Sequence, residues 1–329
     1  MGTLKFTVMT WNVENLFLPG GDSGPADRDI YDRKMGNIVQ TISGISPDVV
    51  GLQEVGDLAA LNDLRDRLGG RYRFVRASRF PDPRGIRVAF LSRLPLLQAV
   101  DYDDYPPNAL INIPDEHGRI MRDMGRGGLK CMVALAPGLM VNMVNCHLKS
   151  KLVTYKTLSG AARHYPLDED ERARGMALAL IKRTTEAVAL RIHLNKLLTG
   201  NNFPLILMGD MNDSGDAVTT QILMGPPDRS LAHRDKFDDV RLYNLDDYIP
   251  GERRFSRVYQ KMGEMIDHIM VSHELIFYLR KADSYIEPIS SIDSNVASRG
   301  EAVFPDHAPV YARFEIPEDE ADRHFSVTG

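Results

Sequence analysis

The sequence predicts a mixed α/β (α+β) fold in which β-sheets pack together with helices outside them. Two patterns carry the prediction. Short apolar runs rich in Val, Ile, Leu and Met recur along the chain between turn residues, as strands require. Helical stripes separate some of these runs but not others, so a strict alternation of strand and helix is missing. The runs at residues 5–10, 49–52, 73–76, 86–91, 129–134, 140–145, 204–208, 266–271 and 310–314 read as strands. Met35, Ile38, Val39 and Ile42 follow the spacing of one amphipathic helix. Leu58, Leu61, Leu64 and Leu68 mark a second, with Asp57 as its N-cap and Gly69-Gly70 as its stop. A long helix spans about 169–198 and ends before Gly200.

A chain of 329 residues has room for two average domains, yet no linker or charge block divides it. One domain over residues 1–315 with a polar tail at 316–329 is therefore expected. Hydrophobic residues at 43% and charged residues at 26% suffice for a large core without staples. The net charge of −5 excludes a surface that grips nucleic acid everywhere. It still permits a local basic groove or a cation that screens an anionic substrate. Cys131 and Cys146 sit inside apolar runs and read as free core residues. No apolar run approaches the roughly 18 residues of a membrane span. The start "MGTLKFTVMTWN" lacks a basic segment followed by an apolar one. Its Met-Gly resembles an acylation signal but has Phe6 where Ser or Thr belongs. These features predict a cytoplasmic protein, or a secreted one if a leader has been removed. A monomer without stable membrane association is the default.

The chemistry concentrates at strand ends. "LILMGDMND" turns from four apolar residues to Asp210, Asn212 and Asp213. "FTVMTWN" ends at Asn12, "DVVGLQE" at Glu54 and "MVNMVNCH" at His147. "IDHIMVS" begins with Asp267, and "FPDHAPVYARF" places Asp306 and His307 before the last strand. Singly, each residue has a plain alternative: a turn, a helix cap, an ion pair or a buried hydrogen-bonded histidine. Together, at termini that sheets can align on one edge, they suit a hard cation such as Mg²⁺ or Mn²⁺. The thiolates of a structural zinc site are missing. The loop "NIPDEHGRIMRDMGRGG" adds Arg119, Arg122 and Arg126, of which Arg126, between glycines, is the best placed to reach a phosphate.

These pieces resemble the endonuclease/exonuclease/phosphatase superfamily, the deoxyribonuclease-I-like fold. "TWNVENL", "DVVGLQEV", "RVAFLSRLP", "VNCHLKS", "LMGDMND", "MIDHIMVS" and "FPDHAPV" occur in that family's order over residues 5 to about 315. The resemblance implies a four-layer αββα sandwich with two central mixed β-sheets flanked by helices. It also implies metal-dependent hydrolysis of a phosphate ester, using one ion or two. By that match Glu54 is the principal metal ligand, with Asn12 and Asp306 close to the metal. Asp210 and Asn212 fall on the pair that activates water or steadies the transition state. His307 falls on the catalytic histidine oriented by Asp267, and His147 on a phosphate-contacting histidine able to protonate the leaving oxygen. Either Asp210 or His307 can take the water's proton, and the sequence leaves both open.

Departures from the family narrow the substrate. Pro305 stands where the last motif usually has serine, and His268 where inositol-phosphate phosphatases have arginine. Apurinic-site endonucleases usually have tyrosine at the His268 position and "QET" where this chain has "QEV". "HLKSK" followed by Arg172–Arg174 is similar to bacterial extracellular nucleases, and it makes Lys149 and Lys151 candidate phosphate contacts. The leading expectation is a Mg²⁺- or Mn²⁺-dependent phosphodiesterase acting on nucleic acid, with Arg126 and Lys149 on the substrate. The alternative keeps the site and takes a phospholipid, sphingolipid or small phosphorylated metabolite. That alternative needs an apolar docking element, for which "DYDDYPPNALINIP" is the candidate loop. A binding module without chemistry is disfavoured, since Glu54, the Asp-x-Asn pair and the terminal Asp-His are all present.

Overall fold

The computed structural model describes residues 2–21, 23–109, 112–114, 119–136, 139–153, 155–156, 162–163, 165–200, 203–226, 240–292, 299 and 301–318. In chain order its main strands begin with β1 (Thr3–Leu16), β2 (Val49–Val55), β3 (Phe74–Ala77), β4 (Arg87–Ser92), β5 (Leu96–Asp104) and β6 (Asp123–Ala136). They continue with β7 (Leu139–His147), β8 (Leu205–Asp210), β9 (Leu242–Asn244), β10 (Asp267–Ser272), β11 (Leu279–Ser284) and β12 (Val310–Pro317). The longer helices are α1 (Arg28–Ile45), α2 (Leu58–Arg67), α3 (Glu169–Leu198) and α4 (Val218–Met224).

Two six-stranded sheets result, ordered β11-β12-β1-β2-β4-β3 and β9-β10-β8-β7-β6-β5. Both are mixed, with a parallel pair at the centre of each: β1 with β2, and β8 with β7. Alternation along the strands explains the layering. Val8, Phe90, Met143, Met208, Ile269 and Phe314 point between the sheets and form one core. Their neighbours Met9, Trp11, Leu52 and Leu91 pack outward on Met35, Ile38 and Ile42 of α1 and on Leu61 and Leu64 of α2. Val144, Leu207 and Met270 pack on Leu190, Leu194 and Leu198 of α3 and Leu223 of α4. Strands buried on both faces read as continuous apolar runs, which is why the sequence exposed them so clearly. The four-layer αββα arrangement follows.

The edge elements depart from the sequence reading. β5 carries "LLQAVDYDD" and β11 "LRKADS", polar strings typical of edge strands with one solvated face. They went unseen because apolar content was the signal. β6 begins at Asp123, so the "DMGRGG" read as loop is strand, paired to β5 and β7. The Asp57 side chain does not cap α2; it accepts from the Leu18 amide at 2.8 Å. β12 continues through Pro317, with Ile316 buried and paired to Leu4, so regular structure reaches past residue 315. Residues 319–329 of the expected tail lie outside the described residues. Cys131 and Cys146 are free and buried, and burial pushes the Cys131 thiol up to about 12. Among the described residues no helix is long and apolar enough to cross a membrane.

A polar clamp crosses the core. Gln53 Nε2 on β2 donates to Asn145 Oδ1 on β7 at 2.6 Å. Asn145 Nδ2 in turn donates to the carbonyls of Leu52 and Ala89 at 3.0 and 2.9 Å. Both side chains are fully buried. Apolar layers slide easily over one another, whereas buried amides demand their partners. This clamp therefore sets the relative register of the sheets one or two residues from Glu54 and His147.

Candidate active site

Sheet register places three of the expected residues in one row. Asp210, the last residue of β8, pairs with His147 at the end of parallel β7 and with Asp267 at the start of antiparallel β10. The first sheet adds its own strand ends at the same edge. Asn12 on β1 pairs with Gln53, the residue before Glu54, and its Nδ2 donates to Asp210 Oδ2 at 3.0 Å. His307 precedes β12, and its backbone carbonyl accepts from the Trp11 indole at 2.8 Å.

His307 Nδ1 donates to Asp267 Oδ2 at 2.6 Å, and Nε2 lies 4.0 Å from Asp210 Oδ2. Burial alone would discharge the ring, but the carboxylates of Asp267, Asp306 and Asp210 prevail and push His307 up to about 10. Asp210 moves the opposite way for a carboxylate. Burial and the nearby Asp267 raise it to about 6, against the help of His307, Asn12 and the Asn212 amide. At neutral pH the pair is thus an imidazolium beside an ionised, basic carboxylate. The turn after Asp210 is tight: the Asn212 amide donates to Asp210 Oδ1 at 2.9 Å, and Asn212 has φ 54°. Asn212 therefore does not extend the strand. Its Nδ2 donates to the Leu148 carbonyl at 3.0 Å, tying the two strand ends together. Met211 points into the core on the α3 side.

His147 is buried, and burial followed by the charges of Arg126, His307, Arg84 and Lys149 holds it well below the usual histidine range. An uncharged ring offers a hydrogen bond rather than a stored proton. Its Nε2 faces both the Arg126 guanidinium and Asp210 Oδ2, the latter at 3.3 Å. Arg126 lies on β6, its Nε 3.4 Å from Asp82, and so reaches the site from a strand rather than a flexible loop. Lys149 Nζ donates to the carbonyls of Ser150 and Leu152 at 2.9 and 2.7 Å, and burial lowers it to about 8. Lys151 Nζ stands 3.6 Å from Asp213 and 3.7 Å from Glu264.

Glu54, at φ 61°, accepts from the Asn15 amide through Oε2 at 3.0 Å. Glu54, Asp306 and Asn12 supply carboxylate and amide oxygens, the donors a hard divalent cation takes. Glu54, Asp306 and Glu14 converge: all three draw up the pKa of buried Lys34, which burial lowers. Asp210, Asp267 and His307 also bring donor atoms within 4.8 Å of one another. His307 Nδ1 and Asp267 Oδ2 already satisfy each other, so that trio reads as a proton-handling group. Among the described residues Asp267 Oδ1 is buried with no hydrogen-bond partner. On donor type and charge, the residues fit a divalent ion.

The sequence reading missed the charges around this group. Glu14, on the same strand as Asn12, accepts from the Asp306 amide at 3.1 Å and from Arg299 Nε at 2.7 Å. Lys34 of α1 donates to the Glu14 carbonyl. "TWNVEN" displayed Glu14 beside Asn12, but nothing in the sequence paired it with residues 285 positions away.

The profile described as the Endonuclease/Exonuclease/phosphatase family matches residues 9–282. Solved structures of the same fold include truncated TDP2 of Caenorhabditis elegans, at 16% identity and TM-score 0.57, covering 94% of this chain and 97% of that one. ANGEL2, a 2',3'-cyclic phosphatase in complex with adenosine-2',3'-vanadate, aligns at 14% identity and TM-score 0.58, covering 95% and 96%. A mannosyl-6-phosphatase of Bacteroides thetaiotaomicron aligns at 15% identity and TM-score 0.56, covering 93% and 98%. No curated protein matches at the sequence level.

Proposed function

This chain belongs to the endonuclease/exonuclease/phosphatase family, and from that premise we propose that it is a Mg²⁺- or Mn²⁺-dependent phosphodiesterase acting on DNA or RNA. Hydrolysis of a phosphoester with a divalent metal is the family's chemistry. The observation that carries the finer reading is the row His147, Asp210 and Asp267 with His307 above it and Arg126 at its end. A diester presents two non-bridging oxygens and needs an activated water, and the row offers a separate group for each.

Asp210, ionised above about pH 6, accepts the proton of the attacking water. His307, kept charged by Asp267, donates to a phosphoryl oxygen and stabilises the charge that grows there. His147 and Arg126 bind another oxygen, the guanidinium as a charged donor. Glu54, Asn12 and Asp306 would hold a divalent metal, which when bound would supply charge neutralisation at the phosphate and the leaving oxygen. Lys149 takes part through its charge rather than by direct contact, because its ammonium is engaged with loop carbonyls. ANGEL2, of like fold, carries a bound nucleotide analogue, which is in keeping with a nucleotide phosphate here.

A second reading, a lipid phosphoester, draws on the surface. Tyr102 and Ile113 of the expected docking loop are buried, while Leu110 and Ile111 lie outside the described residues. The exposed apolar side chains instead include Leu167, Met176, Leu180 and Ile181, on and just before the first half of α3. A panel of supercoiled plasmid, single-stranded DNA, RNA, mannose 6-phosphate and phospholipid vesicles, each with Mg²⁺, Mn²⁺, Ca²⁺ or chelator, separates the two. Cleavage of nucleic acid no faster than by the His307→Ala variant refutes the first reading. Turnover confined to vesicles favours the second.

A further inference from the structure

α3 changes its means of attachment along its length. Its C-terminal half packs on the second sheet with Ala187, Leu190, Leu194 and Leu198, an ordinary apolar face. Where it passes the strand ends that carry the site, the inward residues are Arg183 and Glu186, 5% and 2% exposed. Three apart, they lie on one side of the helix. Burying two charges is costly, and apolar residues of similar size would serve adhesion at least as well. Something other than adhesion explains them.

Their partners are backbone groups and one carboxylate, each adjacent to a site residue. Glu186 uses both oxygens: Oε1 accepts from the Gly125 amide at 3.1 Å and Oε2 from the Lys149 amide at 2.6 Å. Gly125 precedes Arg126, and Lys149 lies two residues beyond His147. Arg183 Nη1 donates to the Lys149 carbonyl at 3.2 Å, and its Nε donates to Asp213 Oδ2 at 3.0 Å. Asp213 ends the Asp210–Asn212 turn and is held again by Thr219 Oγ1 at 2.7 Å. The Asp213 carbonyl faces His268 Nε2 at 2.8 Å, next to Asp267. Three strand ends, those of β6, β7 and β8, are thus fastened to two neighbouring side chains of one rigid helix.

We infer that Arg183 and Glu186 are positioning residues that hold Arg126, His147 and the Asp210–Asn212 turn at working distance. The β6–β7 ladder stops where Gly128 pairs with Cys146, and the β7–β8 ladder where His147 pairs with Asp210, so pairing fixes neither Arg126 against β7 nor the chain that follows His147 and Asp210. Lys149 is the junction: its amide is taken by Glu186 and its carbonyl by Arg183. Neither side chain touches the reacting atoms. Their effect on rate passes through His147 and Asp210, where displacement by about 1 Å costs on the order of a hundredfold.

The catalytic arm of the test rests on the phosphoester-hydrolase reading; the structural arm does not. Glu186→Gln keeps size and burial but turns an amide donor toward one backbone N–H. With bis(4-nitrophenyl) phosphate and Mn²⁺, it is expected to lower kcat by about 10- to 100-fold, with an unchanged melting temperature. In a background lacking both Arg126 and His147 (Arg126→Ala with His147→Ala) the same substitution should cost less than about threefold, because the two groups that Glu186 positions through Gly125 and Lys149 are gone. Amide exchange at Gly125 and Lys149 should accelerate, and affinity for inorganic phosphate should fall about tenfold or more. Equal losses in both backgrounds, or full kcat, overturn the inference. If the wild type turns over no phosphodiester, the functional reading fails on its own. Exchange and phosphate affinity then decide, and wild-type values of both overturn the inference. Should Glu186→Gln not fold, Arg183→Lys, which keeps the charge but spans only one of its two acceptors, is judged by the same criteria.

Discussion

Replacing Asp267 by Asn isolates the role of the His307–Asp267 pair. Raising His307 from its ordinary 6.5 to about 10 corresponds to about 5 kcal/mol in favour of the charged ring. Burial opposes that shift, so the three carboxylates together supply more than this. Asp267 is the strongest of the three and also accepts the 2.6 Å hydrogen bond. Its removal therefore takes away at least a third of the shift, about 1 pH unit or more. The sign follows from the raised value: the imidazolium is present at low pH and lost as pH rises through about 10. In Asp267→Asn that loss moves downward, so the alkaline limb of the kcat/KM profile shifts to lower pH by at least that amount. A dication held at Glu54 and Asp306 would lower the limb in wild type and variant alike, so the comparison between them stands. At the optimum, kcat/KM should fall by about 10²- to 10⁴-fold, the range of a lost acid–base partner. The assay is initial-rate hydrolysis across pH with imidazole resonances followed in parallel. A variant with wild-type kcat/KM and an unshifted alkaline limb refutes the reasoning.

Three further outcomes follow from the geometry. Because burial and Asp267 raise Asp210 to about 6, its basic form exists above that pH and is lost as pH falls through it. The acidic limb of kcat should sit near there, and Asp210→Asn should remove about 10²-fold or more of the rate. Glu54→Gln should weaken Mn²⁺ binding by about tenfold or more in calorimetric titration, while chelation abolishes wild-type turnover and added Mn²⁺ restores it. Gly209 has φ 149°, and a Cβ there would lie 2.0 Å from the Cys146 carbonyl oxygen. Gly209→Ala should therefore lose about 3 kcal/mol or more in urea unfolding, because the strand next to β8 cannot yield without moving His147.

Much of the site was legible because its residues sit at the ends of apolar runs. "LILMGDMND", "DVVGLQEV" and "VNCH" each announce a buried strand and then break it with a polar group. Edge strands β5 and β11 were silent for the complementary reason: one solvated face leaves too little apolar signal. The exact reach of Arg126 was misjudged, since glycines suggest a loop while the cross-strand ladder with β5 and β7 makes that segment strand. The pairing of Asp267 with His307, by contrast, is the one the family resemblance implies, and the structure adds its distance of 2.6 Å.

By itself the sequence marked out candidate side chains at the strand ends, because strand pattern and motif order are local properties of the chain. Only the tertiary structure decided their charge states and their supports. His307 is drawn toward the charged form and His147 toward the neutral one although both are buried histidines, since three carboxylates outweigh burial at the first, while burial and the Arg126 guanidinium act together at the second. Arg183 and Glu186 look like ordinary helix charges until the sheet edge is laid against them. Electrostatic energy depends on separation in space, and residues hundreds of positions apart meet at a few ångströms only after the two sheets have closed.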